Sequence, residues 1–284
     1  MTTSSPSSRV SPAGAEQDVL VIGEALVDIV DGDPRPGGSP ANVAVALGRQ
    51  GFAVTLATQL GDDEYGALVR AHLEASHVAV VAAPVGRTSS AAATLDSSGA
   101  ATYDFDITWD PSFDELPQAR LVHVGSFSAL AVDIPEGTLS YDVNVRADLM
   151  PPEPVPRVEA IVARSTIVKA SDEDLEWLYP NRSPEASAIA LQTLGPTVVW
   201  VTRGGQGATA FTESGRVEVE APTVAVVDTI GAGDTFAAGL IVGWLRWGDD
   251  WQRVGSFAAQ LAAGTTTRRG ADPPWAEGVS PASA

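Results

Sequence analysis

Residues 228–239 have the sequence Asp-Thr-Ile-Gly-Ala-Gly-Asp-Thr-Phe-Ala-Ala-Gly. An apolar run at residues 224–227 precedes this stretch and predicts a buried strand. Apolar residues recur at helical spacing from residue 236 to residue 245. The stretch therefore predicts a strand, a tight glycine turn and the start of a helix.

The glycine turn predicts an anion-binding site. Gly231 and Gly233 carry no Cβ atom, so backbone N–H groups around Ala232 can approach a ligand closely. A helix N-terminus favours negative charge through its free donors and its dipole. Asp234 adds a carboxylate that can accept a hydroxyl proton, a combination that suits phosphoryl transfer. Taken alone, the motif is better explained by an aspartate that caps a helix after a turn.

A second glycine motif lies near the other end of the chain. Residues 36–51 have the sequence Pro-Gly-Gly-Ser-Pro-Ala-Asn-Val-Ala-Val-Ala-Leu-Gly-Arg-Gln-Gly. Together the two motifs resemble the paired signatures of the PfkB (ribokinase-like) carbohydrate kinase family, most closely its fructokinase-like branch. The resemblance extends from about Val19 to Trp275. It implies a three-layer α/β/α fold with a mainly parallel central sheet, a reduced β lid, and ATP and Mg²⁺ as cofactors.

The length of 284 residues allows one large α/β domain, which we place at residues 18–276. The Ser-, Pro- and Ala-rich residues 1–17 form an N-terminal tail that we expect to be disordered, and residues 277–284 form a C-terminal tail. Residues 1–17 lack the charged and apolar regions typical of a signal peptide, no apolar run approaches the length needed to span a membrane, and the sequence contains no cysteine. These features predict a cytoplasmic protein without a membrane partner, either a monomer or a homodimer.

Charge and motif spacing exclude several other classes of protein. The formal net charge of −19 argues against a nucleic-acid partner, which needs basic surface. The only lysine, Lys169, follows no glycine-rich loop, so the chain has no P-loop. The three histidines, at positions 72, 77 and 123, lack metal-ligand spacing. No Gly-x-Gly-x-x-Gly follows the first predicted strand, which argues against a dehydrogenase.

Short apolar runs alternate with helical patterns along the chain and predict a mainly parallel sheet covered on both faces. A hairpin is predicted from residues 91–95 and 101–105, around a turn at residues 97–99. Ligands of such sheets bind at the carboxyl ends of the strands. The predicted strands are at 19–22, 54–57, 121–124, 140–143, 166–168 and 197–201.

Three connections are shorter than the family pattern. Only residues 31–36 separate the first strand region from the Gly-Gly motif, where relatives carry a lid hairpin. Residues 126–139 link two strands expected to be parallel, and Pro135 and Gly137 disfavour a helix there. The third short connection is at residues 249–254. The preferred explanation is that residues are missing from the sequence; the alternative is a pruned enzyme whose sheet exposes an apolar face or buries it against a partner.

The resemblance assigns the sugar site to the first half of the chain. Asp28, at the expected end of the first strand, would accept hydrogen bonds from sugar hydroxyls. Gly38 and Asn42 open the next helix, and an amide can both donate to and accept from hydroxyls. Tyr103 and Phe105, on the predicted hairpin, are candidates for packing on the sugar's apolar face. The alternatives are a solvated loop aspartate, an N-cap asparagine and aromatic residues of the core or rim.

Two further segments resemble family motifs. Residues 142–146 resemble an Asp-Pro-Asn-x-Arg segment, in which Arg146 would hold phosphate oxygens or a substrate carboxylate. A surface salt bridge is the alternative for Arg146. Residues 171–174 take the place of the family's Asn-x-x-Glu, so Ser171 would contact the cofactor and Asp174 would hold hydrated Mg²⁺ from its outer shell.

The nucleotide is expected to bind near residues 202–207. Thr202 would supply a hydroxyl, and Gly204 and Gly207 would bring backbone close to phosphate or ribose. A glycine-rich turn after a strand is by itself most often only a turn. Residues 264–272 resemble the adenine and monovalent-cation region, where carbonyls of Asp228, Ile230 and Gly270 would bind K⁺.

These observations predict an ATP-dependent sugar kinase in which Asp234 is the base and the N–H groups of residues 231–234 stabilise the transferring phosphoryl group. Fructose is the preferred acceptor, because residues 37–44 resemble fructokinases more than ribokinases. Ribose, 2-keto-3-deoxygluconate and a nucleoside remain alternatives. A catalytically silent sugar- or nucleotide-binding regulator on the same fold is the alternative from another class.

Overall fold

The computed structural model describes residues 17–30, 32–95 and 101–282. The strands are β1 (Gln17–Ile22), β2 (Leu26–Val30), β3 (Asp33–Gly37), β4 (Val54–Gly61), β5 (Val78–Val85), β6 (Ser90–Leu95), β7 (Ala101–Asp106), β8 (Ala119–Gly125), β9 (Leu139–Asp142), β10 (Ile167–Ser171), β11 (Val198–Thr202), β12 (Ala208–Thr212) and β13 (Gly215–Val219). The α-helices are α1 (Ser39–Arg49), α2 (Glu64–Ala75), α3 (Val155–Arg164), α4 (Asp172–Leu178), α5 (Pro184–Gln192), α6 (Ala232–Trp247) and α7 (Trp251–Thr266).

Nine strands form the central sheet, in the order β13-β12-β11-β10-β9-β8-β1-β4-β5. All neighbours from β11 to β5 pair in parallel, and β12 and β13 extend one edge as an antiparallel hairpin. The mainly parallel sheet predicted from the alternation of apolar runs and helices is therefore confirmed.

Helices cover both faces of the sheet, which explains why an inner strand such as β1 is apolar on both of its faces. On β1, Val19 and Val21 pack with α1 and α6, whereas Leu20 and Ile22 pack into a second core with residues of α3, α4 and α5. All four side chains are at most 1% exposed. Successive side chains of a strand point to opposite faces, so both cores are built from one apolar run.

A second sheet stands beside the first and forms a lid. Its four strands have the order β3-β2-β6-β7, with β2 parallel to β6 and two antiparallel pairs at the edges. The hairpin of β6 and β7 is the predicted one, although its turn lies outside the described residues. The short connection to the Gly-Gly motif contains β3 itself, so the doubt about a lid hairpin at this place was wrong.

The crossover from β8 to β9 contains no α-helix. A single 3-10 helix, Phe127–Ala131, lies between two strands that pair in parallel. The apolar face beneath it is nevertheless covered, because Ala129 is buried and Leu130, Val132 and Ile134 pack against the same core. The expectation of an exposed apolar face was wrong, because these residues cover it. That residues are missing from the sequence stays a prediction.

Two other expectations concerned the C-terminal half: a buried strand at residues 224–227 and a short connection at residues 249–254. Residues 224–227 do not form a buried strand, and Val226 is 61% exposed. The run pairs with no strand of the two described sheets, and the N–H of Val227 donates instead to the carbonyl of Thr266, the last residue of α7. The short place near residues 249–254 is a tight turn between α6 and α7, with Asp250 capping α7.

No helix in the described ranges is long and apolar enough to cross a membrane.

Candidate active site

One cavity of about 1220 Å³ opens at the carboxyl ends of the parallel strands. Glu24 follows β1, Asn144 follows β9, Ser171 ends β10 and Thr202 ends β11, and all four line the cavity. Its position agrees with the rule for open α/β sheets. The lid sheet closes one side of the cavity through residues of β2 and β3.

Nearly all residues predicted for the site line this one cavity. The lining residues among them are Asp28, Gly38, Asn42, Phe105, Arg146, Ser171, Asp174, Thr202, Gly204, Gly207, Gly231, Ala232, Gly233 and Asp234. Tyr103 lies on β7, but its side chain is outside the described part of the chain. The sequence motifs, far apart along the chain, therefore meet in one place.

The N-terminus of α6 provides free backbone donors. Gly231 caps the helix in the left-handed conformation, with φ of 73°, and a Cβ atom there would lie 2.8 Å from Cα of Ala271. Only glycine fits both requirements. Within the described residues, the N–H groups of Gly233 and Asp234 have no acceptor, and no side chain caps the helix. These donors are thus available to an anion in the cavity.

The N-terminus of α1 meets that of α6 at Asp234. Ser39 Oγ donates to one carboxylate oxygen of Asp234 at 2.7 Å, and Asn42 Nδ2 donates to the other at 2.8 Å. Gly38 precedes α1 with φ of 99°, and a Cβ atom there would lie 2.6 Å from the carbonyl oxygen of Glu24. Asp234 is 7% exposed and fixed in orientation by both donors. Asn42 therefore positions the expected base, a contact that the sequence did not indicate.

Asp28 lies on the lid rather than at the end of the first sheet strand. β1 ends at Ile22, and Asp28 is in the middle of β2, next to Gly37 of β3. Asp28 lines the cavity, but the structural element expected for it was wrong. Burial raises the pKa of Asp28 to about 6, with Arg146 opposing the rise and Asp234 adding to it. Asp28 thus changes charge close to neutral pH.

Glu24 is a buried carboxyl group that the sequence analysis did not assign. Burial raises its pKa to about 7, opposed by hydrogen bonding to Ser128 and by the charge of Arg146. Its Oε2 atom is buried and has no hydrogen-bond partner among the described residues. Its position two residues after a predicted central strand was the available signal, since such positions face the cavity.

Arg146 is exposed above the same end of the cavity. It forms no ion pair among the described residues, so the alternative of a surface salt bridge is not what the structure has. Its guanidinium lowers the pKa values of Glu24 and Asp28 through its charge. The nearby Asn144 is 8% exposed and its buried Nδ2 atom lacks a partner in the described ranges. Asn144 was quoted in the sequence motif but not assigned.

Asp174 and Ser171 form the N-terminus of α4. Ser171 Oγ accepts from the N–H of Asp174, and Asp174 returns a bond to the N–H of Ser171, which makes a capping box. The other oxygen of Asp174 accepts from the N–H of Val145 at 2.7 Å. Each oxygen of Asp174 thus accepts one hydrogen bond from a backbone N–H and keeps a lone pair for water. No group of three or more metal-binding side chains occurs among the described residues.

The loop after β11 and the residues around 228 complete the cavity. Thr202, Gly204 and Gly207 line it, as does Ile230. The carboxylate of Asp228 accepts from the N–H groups of Ile230 and Gly270 and so joins the two segments predicted to bind K⁺.

A buried ion pair lies beside the N-terminus of α6. Lys169 Nζ is 3.0 Å from Asp142 Oδ2, and both side chains are at most 6% exposed. The sequence analysis used Lys169 only to exclude a P-loop. A lone lysine on a central strand, two residues before the strand ends, was a signal for a polar role.

Comparison with known proteins identifies the family. Residues 17–277 match the model of the pfkB family of carbohydrate kinases. A fructokinase of Rhizobium leguminosarum bv. trifolii is 31% identical over 262 residues, covering 78% of each chain. A fructokinase of Xylella fastidiosa with bound ATP is 25% identical with a TM-score of 0.75, covering 89% of this chain and 93% of its own. A fructokinase of Vibrio cholerae O395, with fructose, ADP and a potassium ion bound, is 25% identical with a TM-score of 0.74, covering 90% and 94%.

The chain belongs to the pfkB family of carbohydrate kinases. It is a sugar phosphotransferase with the ribokinase-like fold, as its two glycine motifs predicted.

Proposed function

We propose that the protein transfers the γ-phosphoryl group of ATP to a primary hydroxyl of a monosaccharide, and that fructose is the acceptor. The preference for fructose rests on the relatives, which are fructokinases at about a third identity. The observation that carries the reaction is Asp234, held by Ser39 and Asn42 beside free N–H groups of α6.

In this proposal the sugar lies between the lid and α1. Asp28 accepts hydrogen bonds from its hydroxyls, and Gly38 and Asn42 are beside it. Phe105, on β7, supplies apolar contact area at the edge of the cavity. The nucleotide lies along the loop of residues 202–207 and against α7. Its triphosphate reaches the N-terminus of α6.

The chemical step follows from this placement. A sugar oxygen attacks the γ-phosphorus and gives its proton to Asp234, while the bond from that phosphorus to the bridging oxygen breaks and ADP leaves. The N–H groups of Gly233 and Asp234 stabilise charge on the oxygens of the group in transfer. Both donors are fixed in the helix, so they need no rearrangement during the step.

Mg²⁺ is the cation that ATP brings, and it neutralises charge on the phosphates. The cavity fits a hydrated ion better than a caged one, because Asp174 is committed to backbone N–H groups and retains lone pairs only for water. For K⁺, the proposal uses carbonyls of Asp228, Ile230 and Gly270, by analogy with the potassium ion in the Vibrio cholerae fructokinase.

The test is a screen of acceptors for sugar-dependent release of ADP. Fructose, ribose, 2-keto-3-deoxygluconate and purine ribosides are each supplied with ATP and Mg²⁺, and the product is identified by phosphorus NMR. We expect the highest kcat/KM with fructose. A higher value with another acceptor would reassign the substrate. Tight sugar binding by calorimetry without any ADP release would instead support the silent regulator.

A further inference from the structure

Lys169 is the chain's only lysine, and it points into the cavity rather than into solvent. It lies on β10, and its side chain is 6% exposed. A buried ammonium group loses much of its hydration, so its position needs compensation by charge or hydrogen bonds. Two contacts define where that charge lies.

The first contact is the ion pair with Asp142, at 3.0 Å. The second is with the first turn of α6, because a Cβ atom on Gly233 would lie 3.3 Å from Lys169 Nζ. Gly233 supplies one of the free N–H groups and directly precedes Asp234. The ammonium therefore sits next to the expected phosphoryl position, close to the expected base.

Hydrogen bonding leaves part of this ammonium group unused. It carries three N–H donors, and among the described residues it has a single acceptor, Asp142. The second oxygen of Asp142 is buried without a partner in the same set of residues. A buried ion pair gives little net stability, because desolvation offsets its attraction. Stability alone is therefore a weak explanation for this pair.

The surrounding carboxylates keep Lys169 charged. Burial alone would lower its pKa, but Asp142, Asp174 and Asp234 together raise it above the ordinary value. The cation is thus permanent, whereas the bound anion changes as the reaction proceeds.

We propose that Lys169 is a catalytic residue of the phosphoryl transfer, donating to an oxygen of the γ-phosphoryl group while Asp142 positions it. This rests on the proposed kinase function. The new bond joins the sugar oxygen to phosphorus, the bond to the ADP oxygen breaks, and the hydroxyl proton goes to Asp234. Lys169 keeps its proton throughout and acts only by charge and hydrogen bonding.

Mutagenesis separates this role from a structural one. Lys169→Met alone would leave Asp142 buried and unpaired, so the main variant is Asp142→Asn/Lys169→Met, which removes both charges together. Thermal unfolding and circular dichroism check its fold. We expect kcat to fall at least 100-fold at saturating ATP and fructose, in the range for loss of one preorganised donor. The control Asp142→Asn retains Lys169 and should lose less than tenfold.

If the ion pair of Lys169 and Asp142 has only a structural role, the folded double variant should keep its kinase activity. Retention of more than about a tenth of wild-type kcat by that variant would overturn the inference. The double variant should also bind ADP as the wild type does, yet lose the extra affinity for ADP with aluminium fluoride and fructose. If the double variant loses as much affinity for ADP alone as for ADP with aluminium fluoride and fructose, the result would count against the assignment of Lys169.

The single lysine also permits a test without any variant. In protein labelled with ¹⁵N at lysine Nζ, one side-chain resonance is expected. It should shift when ADP, aluminium fluoride and fructose form their complex, and shift less with fructose alone. An unchanged resonance in the complex would overturn the inference. If the wild type phosphorylates no acceptor, the proposed function and this inference both fail; an active wild type with an active double variant removes the inference only.

Discussion

Asn42 donates a 2.8 Å hydrogen bond to Asp234, so the residue expected to hold the sugar also holds the expected base. The two residues lie in the first turns of α1 and α6, which come from distant parts of the chain. The proposed sugar site and the proposed anion site therefore share this hydrogen bond. Changes at either residue should affect both binding and chemistry.

Asp234→Asn should lower kcat by about 10²- to 10⁴-fold, the range for loss of a general base. The fold should survive, because an amide can keep one of the two hydrogen bonds from Ser39 and Asn42. ATP affinity should change little. Steady-state kinetics with fructose measures kcat, and a variant that keeps more than about a tenth of it would contradict the assignment of the base.

Asn42→Ala should raise the KM for sugar and also lower kcat by about tenfold, since Asp234 loses one of its two orienting donors. The KM for ATP should stay nearly constant, because the loops that face the nucleotide are elsewhere. Ser39→Ala is the matched control: it removes the other donor to Asp234, at 2.7 Å, without removing an amide. If Asn42→Ala changes the KM for sugar and the KM for ATP equally, the division of the cavity into a sugar side and a nucleotide side would be refuted.

Sugar binding should depend on the charge of Asp28. Burial raises its pKa to about 6, so the group is ionised at pH 8 and protonated at pH 5. A protonated carboxyl loses acceptor capacity, so kcat/KM for sugar should fall as the pH drops through about 6. Arg146 and Asp234 act on Asp28 through their charges and will shape the profile, and Glu24 titrates in the same cavity. Asp28→Asn should have lower activity, and its kcat/KM should not fall near pH 6. If the fall persists in this variant, another group causes it.

Glu24 should make the protein less stable as the pH rises. Its folded pKa is raised to about 7 by burial, whereas the unfolded value is about 4.3. Between these values the folded protein keeps a proton that the unfolded chain releases, so the free energy of unfolding falls with increasing pH. Glu24→Gln cannot titrate. Its stability relative to wild type should therefore increase from pH 4.5 to pH 8 by at most about 3 kcal/mol.

Urea denaturation at the two pH values measures this difference. The matched control is Glu213→Gln, in the exposed turn between β12 and β13, where the charge is removed in solvent. A stability difference between Glu24→Gln and wild type that is independent of pH would show that Glu24 does not carry the effect.

Gly231→Ala should damage the anion turn more than an equivalent change elsewhere. The alanine would be strained at φ of 73° and its Cβ would lie 2.8 Å from Cα of Ala271. We expect kcat to fall at least tenfold, together with a lower melting temperature. Gly86→Ala is the control, because Gly86 does not line the cavity and a Cβ atom there meets nothing within 4 Å. Similar activity of the two variants would contradict the role of the turn.

The sequence predicted the elements whose signals are local. The glycine turn before α6, the Gly-Gly motif before α1 and the parallel strands each depend on short patterns of small or apolar residues. The wrong strand at residues 224–227 shows the limit of this approach. An apolar run forms a buried strand only if another strand pairs with it, and here the backbone of Val227 bonds to Thr266 of α7 instead.

Two parts of the site depended on long-range packing and were missed for that reason. The bonds to Asp234 depend on how α1 meets α6, which no local pattern encodes. Lys169 faces the cavity only because β10 lies between β9 and β11 in the sheet. Asp28 lines the cavity, but its strand belongs to the lid and pairs with β6 rather than following the first strand of the central sheet.

The connection without an α-helix between β8 and β9 also bears on how the chain folds. Closing a short loop costs little entropy, and each doubling of loop length adds only about 0.6 kcal/mol to that cost. Most pairings of the nine-stranded sheet join strands that are separated by an α-helix. The pairing of β1 with β8 joins strands that are far apart in the sequence. The β8–β9 pair is at the middle of the sheet and has short sequence separation. We therefore expect this pair to form early in folding, with β1 and β10 adding to it from either side.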